Sequence, residues 1–225
     1  MIKYPSIAAN TVSAERQVNQ TISYLGTDGY KVLIVGNSIT RHSPKPDIGW
    51  EADWGMAASC ADRDYVHRLH AHFTAAGIPA RFCIAQASSW ERRFWDPDLH
   101  NSFVQAQQFR ADSVVFRLGE NVQTDDCGTH SYAEGMLAFL EYLTRQGKAN
   151  VFLTTCFWKH EPVDSAIRKI SKEAGYSLIE LEDLGDRDDM KALGLFEHSG
   201  VAAHPGDHGM QKIADRIWER LKISL

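Results

Sequence analysis

The amino-acid sequence predicts an α/β fold, a three-layer α/β/α sandwich around a five-stranded parallel sheet. Short, near-continuous apolar runs recur along the chain, as in parallel strands that are covered on both faces. Segments with helical apolar spacing lie between these runs, and strands that alternate with helices imply βαβ units. A length of 225 residues suits one such domain.

The predicted strands are five segments rich in Val, Ile, Leu or Phe, the fifth being the weakest. In chain order they are KVLIVG (31–36), ARFCIA (80–85), SVVFRLG (113–119), NVFLTTCFW (150–158) and YSLIEL (176–181). We expect them to lie in the flavodoxin-like order 2-1-3-4-5.

Helices are predicted where apolar residues share one face. Two of them span residues 62–76 and 131–146, and a third follows Asp207, which is expected to be its N-cap. The third has the clearest apolar stripe, formed by Met210, Ile213, Ala214, Ile217 and Leu221.

The chain reads as one domain over residues 30–225, preceded by an N-terminal extension. Residues 1–29 have weak periodicity, and we expect them to pack on the domain. No stretch of ~18 apolar residues predicts a transmembrane helix. The N-terminus also lacks the basic start and apolar core of a signal peptide, so a cytoplasmic location is expected unless a signal was removed.

The charge balance limits the classes of partner. With a formal net charge of −5 and no long Lys/Arg run, the sequence gives no electrostatic reason to expect nucleic acid or an anionic membrane. The oligomeric state is left open.

The first candidate functional residue is Ser38, which follows the first predicted strand in Gly36-Asn37-Ser38. Ligands bind beyond the carboxyl ends of the strands in such sheets. A serine there exposes its hydroxyl, and its own N–H can face the reacting oxygen. Ser38 is therefore a candidate nucleophile, with a helix-capping role as the alternative.

A second candidate follows the third strand, in Gly119-Glu120-Asn121. The side-chain amide of Asn121 can reach the same point as the Ser38 N–H. Such a donor stabilises a tetrahedral oxyanion and typically lowers the barrier by ~2.7–4 kcal/mol. The alternative is a turn asparagine that bonds to its own backbone.

The third candidate is His204, in His204-Pro205-Gly206 just before the last helix. A rigid Pro-Gly loop ahead of a helix holds an imidazole in place, as a general base requires. A surface-loop histidine is the alternative.

In this order the three motifs resemble those of the SGNH/GDSL hydrolases, over roughly residues 31 to 222. The family's first block usually has Gly-Asp-Ser and a hydrophobic residue, and this chain has GNSIT. The resemblance implies that Ser38 is the nucleophile and His204 the base. It also implies that Asn121 and the Ser38 N–H form part of the oxyanion hole, and that no cofactor or metal is required.

The second block of the family departs from the usual pattern. It normally supplies a glycine whose N–H completes the oxyanion hole, whereas this chain has Ala85-Gln86-Ala87-Ser88. A backbone N–H needs no particular side chain, so Ala87 and Ser88 are both candidate donors.

The last block departs more strongly. The family places an aspartate three residues before the histidine, and this chain has Val201 there. Substituting the acid of a catalytic triad can cost ~10⁴ in rate. Two replacements are considered: a backbone carbonyl near Val201, which would give a Ser–His dyad and is favoured, or the carboxylate of Glu197.

Tryptophans gather in the segments after the first two strands. Aromatic rings beside polar groups commonly grip sugar rings, so they are candidate substrate-loop residues, although loops that pack on each other as a lid would also collect them. These residues are Trp50, Trp54, Trp90 and Trp95.

No cofactor or metal site is expected. The histidines at 67, 70 and 72 share a predicted helix without Cys or carboxylate partners at ligand spacing. No phosphate-binding glycine motif follows the first strand, so a flavodoxin-like binding module would rest on fold alone.

The resemblance implies a serine esterase that forms an acyl-enzyme. The expected substrate is an acyl group, most simply O-acetyl, on a carbohydrate or another small molecule. Two alternatives stay open. One is an acyltransferase, and the other is a catalytically weak module that binds a glycan.

Overall fold

A computed structural model of the chain describes residues 21–145 and 147–225 and places a six-stranded sheet between two layers of helices. The strands are β1 (Ile22–Leu25), β2 (Tyr30–Gly36), β3 (Ala80–Gln86), β4 (Ser113–Arg117), β5 (Asn150–Thr154) and β6 (Ser177–Ile179). The three-layer α/β/α class predicted from the sequence is confirmed.

The described α-helices alternate with the strands after β2. They are α1 (Tyr65–Ala75), α2 (Ser88–Glu91), α3 (Val104–Gln108), α4 (Thr124–Thr129), α5 (Tyr132–Thr144), α6 (Glu161–Ala174), α7 (Glu182–Gly185), α8 (Ser199–Ala202) and α9 (Asp207–Leu221). Short 3-10 helices lie at Pro46–Ile48, Ala61–Arg63, Pro97–Phe103, Asp188–Met190 and Lys222–Ser224.

The strand order is β1-β3-β2-β4-β5-β6. Strands β2 to β6 are all parallel and follow the predicted order 2-1-3-4-5. The prediction of five strands is wrong by one, because β1 adds an antiparallel edge strand on β3. Only Ile22 of β1 is buried, so this strand lacks the continuous apolar run of the others.

Strand β1 falls within the predicted N-terminal extension. Residues 1–20 of that extension lie outside the described residues. The division of the chain at residue 29 therefore stays a prediction.

Side chains alternate between the two faces of the sheet, and each face has its own helices. Leu33 and Val35 of β2 face the layer that contains α5 and α6. Val32 and Ile34 face the opposite layer, which contains α1 and α9. Both faces of β2 are therefore buried, as its apolar run predicts.

Helix α9 begins one residue earlier than the cap prediction requires. Gly206 is the N-cap, so Asp207 is the first helical residue and the prediction of an Asp207 cap is wrong. Its carboxylate accepts hydrogen bonds from the Ser59 N–H at 2.8 Å and the Ser59 hydroxyl at 2.7 Å instead.

Neighbouring strands β2 and β4 position the candidate residues. The chain leaves β2 towards β3 on one side and later enters β4 on the other, which opens a crevice at their carboxyl ends. Ser38 follows β2 and Asn121 follows β4. Within the described ranges, no helix combines the length and apolar character needed to cross a bilayer.

Candidate active site

Ser38 lies in a tight turn at the end of β2. The Asn37 carbonyl accepts hydrogen bonds from the N–H groups of Thr40 at 2.9 Å and Arg41 at 3.0 Å. The turn requires glycine at position 36, because a Cβ there would lie 1.8 Å from the Thr40 hydroxyl oxygen. The sequence therefore fixes a half-buried serine at the strand tip.

The side chains of Ser38 and His204 are in direct contact. Ser38 Oγ lies 2.8 Å from His204 Nε2, and His204 Nδ1 lies 2.6 Å from the Gly200 carbonyl oxygen. A carbonyl oxygen only accepts, so Nδ1 carries the proton of the neutral ring. Nε2 then has a free lone pair and accepts a hydrogen bond from the Ser38 hydroxyl.

The environment keeps His204 neutral. Burial lowers the pKa of His204 from 6.5 to about 4, against the opposing effects of the Gly200 hydrogen bond and the charge of Glu120. The edge of Trp158 contacts the ring, with centroids 4.9 Å apart, and Trp158 Nε1 donates to the Ala203 carbonyl at 3.2 Å. At neutral pH the imidazole is therefore unprotonated and held in place.

The candidate oxyanion donors differ in the hydrogen bonds that they already make within the protein. Among the described residues, the Ser38 N–H has no hydrogen-bond partner. Asn121 Nδ2 donates to Glu91 Oε2 at 2.6 Å, which uses one of its two hydrogens. The Ser88 N–H, at the start of α2, reaches only the side-chain oxygen of Gln86 at 3.3 Å.

A buried network of charges lies beside this turn. Arg117 is fully buried at the end of β4 and donates to Glu120 Oε1 at 2.7 Å and to Asn37 Oδ1 at 2.5 Å. Asn37 Nδ2 in turn donates to Glu120 Oε2 at 2.6 Å and to Glu91 Oε1 at 3.0 Å. One guanidinium and two carboxylates therefore share the space between β2, α2 and the loop after β4.

The pKa values of the two carboxylates in this network are shifted in opposite directions. Burial, together with the charge of Glu120, raises the pKa of Glu91 to about 7. Burial is the largest single effect on Glu120 and would raise its pKa, but the Arg117 charge and the hydrogen bonds that Glu120 accepts together hold that pKa below its ordinary value. Glu120 is thus the carboxylate that Arg117 neutralises.

The whole structure is similar to solved hydrolases. A GDSL-like lipase from Bacteroides uniformis has a TM-score of 0.56 at 16% identity, over 87% of this chain and 96% of that chain. A carbohydrate esterase family 3 protein from Talaromyces cellulolyticus has a TM-score of 0.54 at 18% identity, over 87% of this chain and 97% of that chain. The chain has the SGNH/GDSL hydrolase fold.

One acyltransferase shares this GDSL-like fold. A salicylyl-acyltransferase from a tetracycline biosynthetic pathway has a TM-score of 0.51 at 14% identity, over 88% of this chain and 56% of that chain. No protein-family model and no curated protein matches the sequence.

Within the GDSL-like fold, one of the two candidate donors of the second block is excluded. The Ala87 N–H already donates to the Gly36 carbonyl at 2.7 Å, because the backbone of β3 continues its pairing with β2 beyond Gln86. The prediction of Ala87 as an oxyanion donor is therefore wrong, and Ser88 is the candidate that the structure leaves.

The partner of His204 Nδ1 is neither Val201 nor Glu197. The turn of α8 aims the Gly200 carbonyl back at the ring four residues later. Val201 is fully buried, and its carbonyl accepts from the His204 N–H instead. Glu197 is exposed and lines a separate cavity, and the backbone carbonyl near Val201 that contacts His204 is the one of Gly200.

The four tryptophans do not form one surface. Trp90 is fully buried and stacks on Phe139 with centroids 4.9 Å apart, so its assignment to the substrate loops is wrong. Trp50 is also buried, and its edge packs against Trp54 at 6.0 Å. Trp95 is 37% exposed and stacks on a histidine, His130, at 4.1 Å.

Four residues of the site were missed by the sequence analysis: Glu91, Arg117, Glu120 and Trp158. Arg117 gave a usable signal, since an arginine within an apolar strand requires a buried acidic partner. The other three gave none, because only the fold brings them to this edge of the sheet. Over the part of the chain that the structure describes, no three His, Cys, Asp or Glu side chains gather as metal ligands.

Proposed function

We propose that the protein is a serine esterase, in which Ser38 attacks an acyl ester and His204 is the general base. The observation that carries this proposal is the 2.8 Å contact between Ser38 Oγ and His204 Nε2. A nucleophile and a base within hydrogen-bond reach, with the base oriented by a third group, are typical of nucleophilic catalysis. The shared GDSL-like fold supports the same class of reaction.

The first half of the reaction forms an acyl-enzyme. His204 Nε2 takes the proton of the Ser38 hydroxyl while Oγ attacks the ester carbonyl carbon. The tetrahedral oxyanion is stabilised by the N–H groups of Ser38 and Ser88 and by the free amide hydrogen of Asn121. His204 then gives its proton to the departing alcohol oxygen as the ester bond breaks.

The second half releases the acid. His204 removes a proton from water, which attacks the acyl carbon, and the same donors stabilise the second oxyanion. The proton returns to Ser38 Oγ as the acyl bond breaks. The Gly200 carbonyl holds the ring in one tautomer throughout.

We propose an O-acetyl group on a carbohydrate, or on another small molecule, as the substrate. A solved carbohydrate esterase that has the same fold supports this class of substrate. The cavity of about 630 Å³ that Glu197 lines does not include Ser38 or His204, so it gives no further support.

Turnover of p-nitrophenyl acetate tests the enzyme proposal. We expect wild type to hydrolyse it and Ser38→Ala to be slower by at least about 10⁴-fold, because the acyl-enzyme cannot form. Ser165→Ala removes an exposed hydroxyl of α6 and serves as the matched control with wild-type rates. Equal rates in wild type and Ser38→Ala would contradict the proposal, and an inactive wild type would favour a glycan-binding module.

An acyltransferase is the second candidate, because a salicylyl-acyltransferase has the same fold. The acyl-enzyme is common to both reactions, and only the acceptor differs. Adding an alcohol to the assay and measuring transferred ester against free acid separates them. Predominant ester formation at low alcohol concentration would identify a transferase.

A further inference from the structure

We propose that Glu91 is a positioning residue, which holds the Asn121 side chain with its amide nitrogen, and not its oxygen, in the donor position of the oxyanion hole. The inference rests on the proposed esterase function and deepens it. Glu91 forms no hydrogen bond with Ser38 or His204 and acts through the residues that donate to it.

The Glu91 carboxylate is saturated with N–H donors. Oε1 accepts from Gly119 N at 2.6 Å, from Asn37 Nδ2 at 3.0 Å and more weakly from Asn121 N at 3.4 Å. Oε2 accepts from Asn121 Nδ2 at 2.6 Å. One side chain on α2 therefore connects the serine turn with the loop that carries Asn121.

The chemistry of a carboxylate determines which way the Asn121 amide faces. An ionised carboxylate has acceptors only, so the Asn121 nitrogen must face it and the Asn121 oxygen cannot. Among the described residues, the second Nδ2 hydrogen has no acceptor. That hydrogen is the one left for the oxyanion.

The fold keeps this carboxylate at a position where burial opposes its charge. Glu91 is completely buried, and the nearby Glu120 charge adds repulsion. Arg117 donates hydrogen bonds to the Glu120 carboxylate and none to Glu91. A buried acid without its own cation is costly, and such groups concentrate at functional sites.

Glutamine is the discriminating replacement, because it keeps the shape and changes one acceptor to a donor. In Glu91→Gln the oxygen is retained by the donors at Oε1, so the new amide faces Asn121 Nδ2. Two donors cannot pair, and Asn121 must rotate to present its oxygen to Gln. The rotated side chain then offers no hydrogen to the oxyanion.

The experiment is a double-mutant cycle on kcat for p-nitrophenyl acetate. We expect Glu91→Gln and Asn121→Ala each to lower kcat by ~10²–10³-fold with KM little changed, which is the effect of losing one oxyanion donor. In the Asn121→Ala background, Glu91→Gln should change kcat by no more than about twofold. Equal effects of Glu91→Gln in both backgrounds would overturn the proposal.

Glu120→Gln is the matched control for disturbing the charge network. Glu120 bonds to Arg117, Asn37 and the Phe157 N–H but not to Asn121. At a pH well above 7, where Glu91 is ionised with or without the Glu120 charge, the effect of Glu120→Gln on kcat should therefore be the same with and without Asn121→Ala. The effect of Glu120→Gln on kcat could instead depend on Asn121 as strongly as the effect of Glu91→Gln does. That result would show that the network is merely structural.

The pH profile gives a readout that also works if Glu91→Gln does not fold. We expect kcat/KM of wild type to rise with pH through about 7, because protonated Glu91 would direct an O–H at the Asn121 nitrogen. The rise of kcat/KM near pH 7 should be absent in Asn121→Ala. Only the rise near pH 4 should remain, where His204 loses its proton. Persistence of the rise near 7 in Asn121→Ala would overturn the proposal.

The other groups that face Glu91 do not change charge near pH 7. Arg117 stays charged, and its charge together with the hydrogen bonds that Glu120 accepts holds the pKa of Glu120 below the ordinary value against the effect of burial. Burial raises the pKa values of Tyr132 and Cys156 well above their ordinary ranges. A limb near 7 that depends on Asn121 is therefore assigned to Glu91.

The Ser38→Ala variant separates the two possible failures. If Ser38→Ala retains wild-type turnover, the esterase proposal itself is wrong. If Ser38→Ala is inactive while Glu91→Gln keeps wild-type kcat, only the positioning role is wrong.

Discussion

A backbone carbonyl fixes the tautomer of His204 as an aspartate would, but it supplies a partial charge in place of a full one. The imidazolium that forms during attack is therefore stabilised mainly by the Gly200 oxygen and, at longer range, by Glu120. The ring is half-buried against Trp158, which shields it from part of the solvent, and this burial lowers the pKa of His204. The residue is a weak base at rest but is unprotonated over the whole neutral range.

Trp158→Ala tests this account of His204. Removing the indole exposes the ring to water, which favours the charged imidazolium, so the pKa of His204 should rise from about 4 towards 6.5. An NMR titration of the imidazole in both proteins measures this shift, and Trp218→Ala, on the far helix α9, is the control. An unchanged pKa in Trp158→Ala would show that Trp158 does not desolvate the ring.

At the scale of elements, the end of β4 carries a buried charge that also connects two loops of the candidate active site. Arg117 is the last residue of the strand and is fully buried, yet it makes two hydrogen bonds to Glu120 and one to Asn37. A buried charge is tolerated only when it is paired and bonded. The strand end therefore fixes the loop after β4 to the serine turn after β2.

Arg117→Met should destabilise the protein by about 3–5 kcal/mol, because it leaves Glu120 buried without its cation. Urea denaturation followed by circular dichroism measures this change in the free energy of unfolding. The double variant Arg117→Met, Glu120→Gln should lose less than the sum of the single variants. Strict additivity would contradict the account of a coupled pair.

Asp207→Ala should destabilise the protein by about 1 kcal/mol, since both hydrogen bonds to Ser59 are lost at an exposed position. Thermal unfolding measures the loss. Asp186→Ala is the control, because it removes an exposed carboxylate that has no hydrogen-bond partner among the described residues. A Tm shift no larger than that of the control would show that α9 is not held by Ser59.

The sequence predicts elements that are buried on both faces better than those at edges. Strands β2 to β5 are predicted because continuous apolar runs indicate two covered faces, whereas the edge strand β6, with one buried residue, gives the weakest run. β1 was missed because one buried residue, Ile22, gives no period. The third, fourth and fifth runs are predicted too long. Apolar residues beyond Arg117 and Thr154 are buried in the core, but they do not pair with a neighbouring strand.

Site residues that lie in recognisable sequence motifs could be predicted. These are Ser38, Asn121 and His204. The Gly200 carbonyl has no sequence signature, because every residue has a backbone carbonyl. Only the turn of α8 directs this one at the His204 ring. No sequence pattern predicts the role of Glu91 either. Its hydrogen bonds depend on α2 following β3 and packing beside the loop after β4.

At the scale of the whole molecule, the fold brings together residues from the N-terminal and C-terminal parts of the chain. Ser38 and His204 are 166 positions apart in sequence, and they meet because β2 is central in the sheet and α9 packs beside it on α1. The described chain therefore has to fold over most of its length before the proposed nucleophile contacts its base.

Covalent labelling by a fluorophosphonate, located by mass spectrometry, tests this pairing most directly. Activated serines react with such probes through the base that removes their proton. We expect a single adduct on Ser38 in wild type, and labelling in His204→Ala that is slower by at least about 10³-fold. An adduct on another residue, or equal labelling rates with and without His204, would contradict the proposed active site.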